Sequence, residues 1–399
     1  MKRVYDEILA DHLANRRQMA FVTGPRQVGK TTTCRAAGGI YFDWDSVEHA
    51  RTIAAGPEAV AHAAGLNQLQ DPARLPIIVF DELHKFPRWK TFLKGFFDRY
   101  EQQCRIIVTG SSRLDVYRRG GDSLMGRYFL FRMHPMTVAE WIRQDLPEMN
   151  LIREPRRMDD SAWLDLIQFG GFPEPLLLAD KRFLTRWHSL RHAQLFKEDA
   201  RDLTRIQDIA LLEIMGHILD ERSGCQLVYG NLARDVGVAP ATVKSWVDSL
   251  CALHMGFLVR PWFRNVSSAI RKEPKWYVRD WSHVVDRGKR FETLVAVHLL
   301  KAVEGWTDLG LGNFSLHYVR DKQKREVDFL VARDRQPWFL VECKISADRP
   351  SAALTHFQQQ TGAPHAFQVV QDLPWVQADC FTQTRPISVP ARTLLSQLL

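Results

Sequence analysis

The run Gly24-Pro-Arg-Gln-Val-Gly29-Lys30-Thr31 sets two glycines, a lysine and a hydroxyl at the spacing G-x4-G-K-T. That spacing serves phosphate chemistry. Glycines let backbone amides approach anionic oxygens, the ammonium neutralises β and γ oxygens, and the threonine hydroxyl reaches Mg2+. Gly24, Pro25, Arg26, Gln27, Val28, Gly29, Lys30, Thr31 and Thr32 are therefore read as nucleotide-binding, with the N-terminus of the next helix adding partial positive charge. About fifty residues later Pro76-Ile-Ile-Val-Phe80 ends in Asp81 and Glu82. An apolar strand that delivers two carboxylates to its end suits an Asp81 that holds Mg2+ and a Glu82 that polarises water. The expected ligands are ATP and Mg2+, with Thr31 and Asp81 on the metal and Lys30 and Glu82 in catalysis.

Two further candidates belong to the same chemistry. Ile106-Ile-Val-Thr109-Gly110-Ser111-Ser112 ends another apolar run in polar residues, and Ser111 there can sense the γ-phosphate or the attacking water; the alternative is an ordinary helix cap. Charge developing on a transferred phosphoryl group calls for an arginine from the same or a neighbouring chain. Arg127, in Ser123-Leu-Met-Gly-Arg127-Tyr, is the candidate; the alternative is a structural arginine among Arg113, Arg118, Arg119 and Arg132.

A second constellation lies near the C-terminus. Asp328 falls in one apolar strand, and Glu342 and Lys344 fall two apart in the next, so alternation puts all three on one face and Cys343 on the other. Two carboxylates beside a lysine are the working set of a metal-dependent phosphodiesterase, and Glu292 on the preceding helix adds a possible ligand. The plain alternative is a half-exposed strand pair whose charges face solvent.

Positioning these groups requires an α/β chain. Apolar runs at Met19–Thr23, Ile40–Phe42, Ile77–Phe80, Arg105–Thr109 and Tyr128–Phe131 alternate with amphipathic stretches, which predicts a parallel sheet buried on both faces. This domain is bounded at 1–142, because the polar, proline-interrupted stretch Arg143–Ser161 follows it. Residues 143–225 read as a helical connector with a rigid turn at Gly170-Gly-Phe-Pro-Glu-Pro175. Residues 226–287 read as a winged helix-turn-helix: a helix Asn231–Val236, a turn at Gly237, a helix Pro240–Met255 and the strand Gly256-Phe-Leu-Val-Arg-Pro261. Its second helix would show Thr242, Lys244 and Ser245 to a major groove, unless the module only joins its neighbours. Residues 288–399 form a further α/β domain, with a helix Lys289–Ala302 and strands Ser315–Val319, Glu326–Ala332 and Trp338–Ile345.

Bulk properties set limits. The 399 residues carry a net charge of +8 and a pI near 9.2, which favours a polyanionic partner through counterion release. Six cysteines without a C-x-x-C pair suggest neither a zinc site nor a disulfide framework, so a cytoplasmic setting is expected. No stretch reaches the roughly 20 apolar residues of a membrane span.

Gly24-Pro-Arg-Gln-Val-Gly-Lys-Thr-Thr32, Phe80-Asp-Glu82, Thr109-Gly-Ser-Ser112, Leu124-Met-Gly-Arg127, Gly170-Gly-Phe-Pro173, Lys275-Trp-Tyr-Val-Arg-Asp280, Glu326-Val-Asp-Phe329 and Val341-Glu-Cys-Lys344 together resemble a widespread prokaryotic family of ATPases. Its members have an AAA-type core and a C-terminal domain of unknown function. The resemblance implies an AAA-like fold, ATP and Mg2+, and action on DNA. Ser111 or Ser112 departs from the asparagine that many AAA proteins carry at the sensor position. The order Glu292, Asp328, Glu342-x-Lys344 is similar to the PD-(D/E)xK nuclease-like, or restriction-endonuclease-like, fold. The expected function is ATP hydrolysis coupled to DNA remodelling, branch migration or defence, with homo-oligomers if an arginine acts between chains. The alternatives are a nucleotide-gated switch for a protein partner and an ATP-regulated endonuclease.

Overall fold

The computed structural model describes residues 1–69, 71, 75–110, 124–146, 150–203, 208–262, 273–346 and 349–399 (for 202 and 203, the backbone alone). Ser111, Ser112, Arg113, Arg118 and Arg119 lie outside them. The chain divides into two compact units, residues 1–134 with 144–146 and residues 135–143 with 147–399.

The first unit is built on a five-stranded parallel sheet in the order β2-β3-β4-β1-β5. Its strands are β1 (Met19–Thr23), β2 (Ile40–Asp43), β3 (Ile77–Asp81), β4 (Arg105–Thr109) and β5 (Tyr128–Arg132). The central strands follow the apolar runs, and every residue of β1 is buried. Burial on both faces fails at the two edges. In β2 only Phe42 is buried, and in β5 Phe129 remains 46% exposed, because an edge strand has a neighbour on one side alone. Phe80, Phe92 and Phe96 pack edge-to-face and stacked beneath the sheet. The registers pair Phe42 with Phe80, Phe80 with Val108, and Val22 with both Thr109 and Phe131. Parallel pairing in this register brings Thr23, Asp43, Asp81 and Thr109 to one end of the sheet, the end where open α/β sheets bind ligands.

The second unit holds an eight-stranded sheet, β13-β12-β11-β10-β9-β7-β8-β6. Helices Asp160–Phe169, Pro173–Leu178 and Lys181–Gln194 lead into it, as the helical reading expects. The order then runs helix Ile209–Glu221, β6 (Cys225–Gln226), helices Tyr229–Val236 and Pro240–Ala252, β7 (Gly256–Pro261) and β8 (Lys275–Val278). Gly237, at φ +79°, ends the first of the two short helices in the left-handed region. Pro240 starts the second at a position where its missing N–H is not needed. β8 pairs antiparallel with both β6 and β7.

After it the helix Arg287–Asp308 packs Phe291, Leu294, Val295, Leu299 and Trp306 into the core. β9 (Phe314–Arg320), β10 (Glu326–Arg333) and β11 (Gln336–Lys344) form an antiparallel meander. Asp334 and Arg335, at φ 49° and 65°, make the tight turn between the last two. The helix Ala352–Thr361 then crosses over to β12 (His365–Val370), which runs parallel to β11 and is followed by β13 (Ile387–Pro390).

Two expected boundaries are corrected. β7 pairs parallel with β9, Arg260 opposite His317 and Pro261 opposite Tyr318, so residues 226–287 and 288–399 share one sheet. Phe257 and Tyr277 accordingly sit in one core with Phe291 and Phe329. The boundary at 142 also moves, because residues 135–143 belong to the second unit. There the helix Val138–Ile142 presents Glu140 to Lys301, a fully buried ion pair with 0% exposure on both sides. No described helix is long and apolar enough to cross a membrane.

Candidate functional site

The loop Gly24–Gly29 joins β1 to the helix Lys30–Ala36. Gly24 adopts φ +147°, and a Cβ there would lie 2.3 Å from the Met133 carbonyl oxygen. Gln27 and Gly29, at φ 61° and 104°, turn the backbone further. Arg3, beside the first helix, clamps the loop from outside, donating to the Val28 carbonyl at 2.5 Å and the His134 carbonyl at 2.7 Å. Gln27, Thr31 and Thr32 face solvent, while Pro25 and Val28 are buried.

Lys30 folds back into this loop. Its Nζ donates to the carbonyls of Gly24 at 2.9 Å and Pro25 at 2.8 Å. Burial lowers its pKa to about 8, against the pull of Glu82 and Asp81. An ammonium held by loop carbonyls next to two carboxylates is poised for an anion of higher charge.

Asp81, at the end of β3, is fixed from both neighbouring strands. Tyr41 of β2 and Thr109 of β4 each donate a hydroxyl to its carboxylate. Thr31 donates to the same carboxylate at 3.1 Å, and the Glu82 amide does so at 3.1 Å. Glu82 itself stands in the left-handed region at φ 53°, a conformation that costs energy for a non-glycine residue and clusters at working sites. Burial raises its pKa, with Lys30 and Lys85 opposing. Its Oε2 lies 3.6 Å from both His84 Nε2 and Lys85 Nζ.

The residues fit ATP and Mg2+. Thr31 and Asp81 face each other as two oxygen ligands would, and the Met133 carbonyl leaves no room for a side chain at Gly24, the first glycine of the loop. Tyr41, Thr109 and Arg3 were not legible as site residues, since the strand order that seats Tyr41 and Thr109 against Asp81 is not written locally.

Arg127 is corrected as an arginine acting on its own chain's phosphate. It immediately precedes β5, and its carbonyl accepts from Met19, the first residue of β1, whereas the phosphate loop follows Thr23, the last. It therefore lies a strand length from the loop, at the opposite end of the sheet, and grips Asp98 with two bonds of 2.6 and 2.9 Å. It cannot act on phosphate bound to its own chain. Ser111, the sensor candidate, lies outside the described residues.

The C-terminal constellation is assembled differently from the expectation. A register break between Val327 and Leu330 falls at Asp328 and upsets the strict alternation on which a shared face depended. The four residues bond in two sets, while Asp328 stays within electrostatic reach of Glu342 and Lys344. Glu342 is paired with Lys344 at 2.9 Å and accepts from Ser351, which caps the helix Ala352–Thr361. Lys344 is thus already paired with a carboxylate. Glu292 and Asp328 instead meet around Lys275 of β8, at 3.3 and 3.5 Å from its Nζ, with Glu326 at 2.6 Å. Cys343 donates its amide to Asp328 at 2.9 Å, and its side chain packs against the core that holds Phe329 and Val341. Burial and then Glu292 raise the Asp328 pKa, with Lys275 opposing. Burial alone would lower the Lys275 pKa, but Glu292, Asp328 and Glu326 outweigh it and hold the ammonium charged.

The sheet order and the loop define a P-loop domain. A family described as AAA domain matches residues 16–142, so the chain carries an AAA-type P-loop domain. Two domains of unknown function, DUF8612 and DUF4143, match residues 160–285 and 287–373. An uncharacterized protein of Mycobacterium tuberculosis is 26% identical over 345 residues, spanning 81% of this chain and 70% of the relative. Another, of Methanocaldococcus jannaschii, is 22% identical over 269 residues, spanning 64% and 58%. Among solved structures, the Aeropyrum pernix ORC1 protein in complex with DNA aligns over 73% of this chain and 90% of that one, at 15% identity and a TM-score of 0.32. A likeness that low carries no argument about function.

Proposed function

We propose that the chain binds ATP with Mg2+ and hydrolyses it, and that hydrolysis changes how its second unit holds DNA. The observation that carries the first part is the single cluster of Lys30, Thr31, Asp81 and Glu82 at one end of the parallel sheet. The loop amides and Lys30 would hold the phosphates, and Thr31 with Asp81 would hold Mg2+, which when bound would supply Lewis-acid neutralisation of phosphate charge. Glu82 orients and deprotonates the attacking water, and its burial keeps it basic enough for that role.

The DNA part rests on topology and charge. The order helix, short strand, two helices and hairpin in residues 209–278 supports the winged-helix reading. The order helix, antiparallel meander, helix and parallel strand in residues 287–370 supports the nuclease-like reading. The net charge of +8 supports a phosphate partner. A cytoplasmic setting goes with this reading.

Steady-state ATP hydrolysis by the wild type, Lys30→Ala and Glu82→Gln, each with and without single-stranded, duplex and four-way-junction DNA, tests both parts. Stimulation by one DNA form, absent in both variants, is the expected result. Hydrolysis that ignores every DNA would end the DNA reading and direct attention to a protein partner, and no hydrolysis at all would end the first part.

A further inference from the structure

Lys275 is the least expected member of the C-terminal cluster. It comes from β8, outside the α/β meander that carries the carboxylates, and its side chain is only 4% exposed. Three carboxylates surround its ammonium, from the helix Arg287–Asp308 (Glu292) and from β10 (Glu326 and Asp328). The remaining donors are also committed. Tyr277 donates its hydroxyl to Glu292 at 2.6 Å, and Arg320 donates to Glu326 at 3.2 Å. The Cys343 amide occupies the second oxygen of Asp328.

A divalent ion needs several carboxylate oxygens at roughly 2.0–2.6 Å and binds by cancelling their mutual repulsion. Here that repulsion is cancelled by the Lys275 ammonium, with Arg320 assisting at Glu326. The lysine occupies the ground between the acids, and the chain's own donors engage both oxygens of Glu326 and Asp328 and the Oε1 of Glu292. The residues present do not fit Mg2+ or Mn2+.

We propose that Lys275 is the resident cation of the Glu292–Glu326–Asp328 cluster, excluding divalent metal from it, so that the nuclease-like region holds nucleic acid without metal-dependent cleavage. The proposal rests on the nuclease-like reading for its second half alone. Removing the lysine leaves three acids without their shared counter-charge, and that is a divalent-metal site. Lys275 therefore also works as a clamp, tying the hairpin of β7 and β8 to the meander by charge as well as by the sheet.

The test is Mn2+ binding to the nucleotide-free full chain, read by electron paramagnetic resonance, in the wild type, Asp328→Asn, Lys275→Met and the double variant. Wild type and Asp328→Asn are expected to bind equal amounts of Mn2+. Lys275→Met should take up one further ion, lost again in the double variant. An ion in the wild type that disappears with Asp328→Asn overturns the proposal, and so does a folded Lys275→Met that gains nothing. Should Lys275→Met fail to fold, Lys275→Met with Glu326→Gln relieves part of the uncompensated charge and serves in its place, while the wild-type comparison still decides on its own. Nicking of supercoiled plasmid in Mn2+ separates the two ideas. Metal gain without nicking supports the resident lysine and counts against the nuclease-like reading, whereas wild-type nicking abolished by Asp328→Asn overturns the resident lysine and keeps the reading.

Discussion

Exchanging Lys301 for methionine removes one half of an ion pair that has no access to water. Lys301 Nζ also donates to Thr137 Oγ1 at 3.1 Å, so the ammonium ties two residues of one stretch, Thr137 and Glu140, to the helix Arg287–Asp308. Both charged side chains are 0% exposed. Without the lysine, the Glu140 carboxylate stays buried and loses the Lys301 ammonium, and breaking a buried pair in this way costs about 3–5 kcal/mol. A domain of this size loses roughly 2–4 °C per kcal/mol, so the transition of the second unit should fall by about 6–20 °C. Replacing both partners, Lys301→Met with Glu140→Leu, removes the desolvation burden together with the attraction and should recover most of the loss. Differential scanning calorimetry, with near-ultraviolet dichroism of the buried Trp163, Trp281 and Trp306, follows that transition. Nucleotide affinity should stay unchanged, because residues 135–143 belong to the second unit although the AAA family match extends to residue 142. A single variant that melts within about 2 °C of the wild type, or a double variant as weak as the single, would refute the reasoning.

Three further outcomes are expected. Gly24→Ala meets the Met133 carbonyl in a conformation hostile to a side chain; strain of about 1–3 kcal/mol should weaken ATP binding roughly 5- to 150-fold in a fluorescence titration, and unchanged affinity would remove the loop argument. Glu82→Gln should cut hydrolysis by about 10^2 to 10^4 while ATP affinity changes less than about threefold; an active variant would dismiss Glu82 as the base. His298 is buried, with its pKa lowered to about 3 by burial, so it stays neutral in the fold. As pH falls through the ordinary histidine value the unfolded chain takes up a proton that the folded chain refuses, and stability is lost from about pH 6.5 down to about 3. Urea unfolding should show His298→Gln losing about 2 kcal/mol less than the wild type between pH 7 and pH 5, and equal losses would deny the shift.

What could be read in the chain depended on how local its cause was. β1, β3 and β4 are continuous apolar runs, and the phosphate loop is one uninterrupted segment, so both were legible. Tyr41 was not, because its value comes from β2 lying beside β3, and strand order is a property of the whole sheet. Arg127 misled for the same reason: its segment resembles a family motif, but parallel pairing carries it to the far end of β5. In the C-terminal region, helix and strand periodicity marked the elements, while one register break at Asp328 and one lysine from β8 rearranged the site. Neither leaves a trace in a period-two pattern.

The parallel pairing of β7 with β9 governs what can be cut from this protein. The two unknown-function families meet between residues 285 and 287, a tempting place to divide the chain. Division there would separate two strands that are hydrogen-bonded neighbours inside one sheet and uncover Phe257 and Tyr277 on one fragment, Phe291 and Phe329 on the other. Each fragment would carry a raw strand edge beside a greasy face, the combination that recruits foreign strands. Separately made halves should precipitate, and co-expressed halves should find each other and stay in solution.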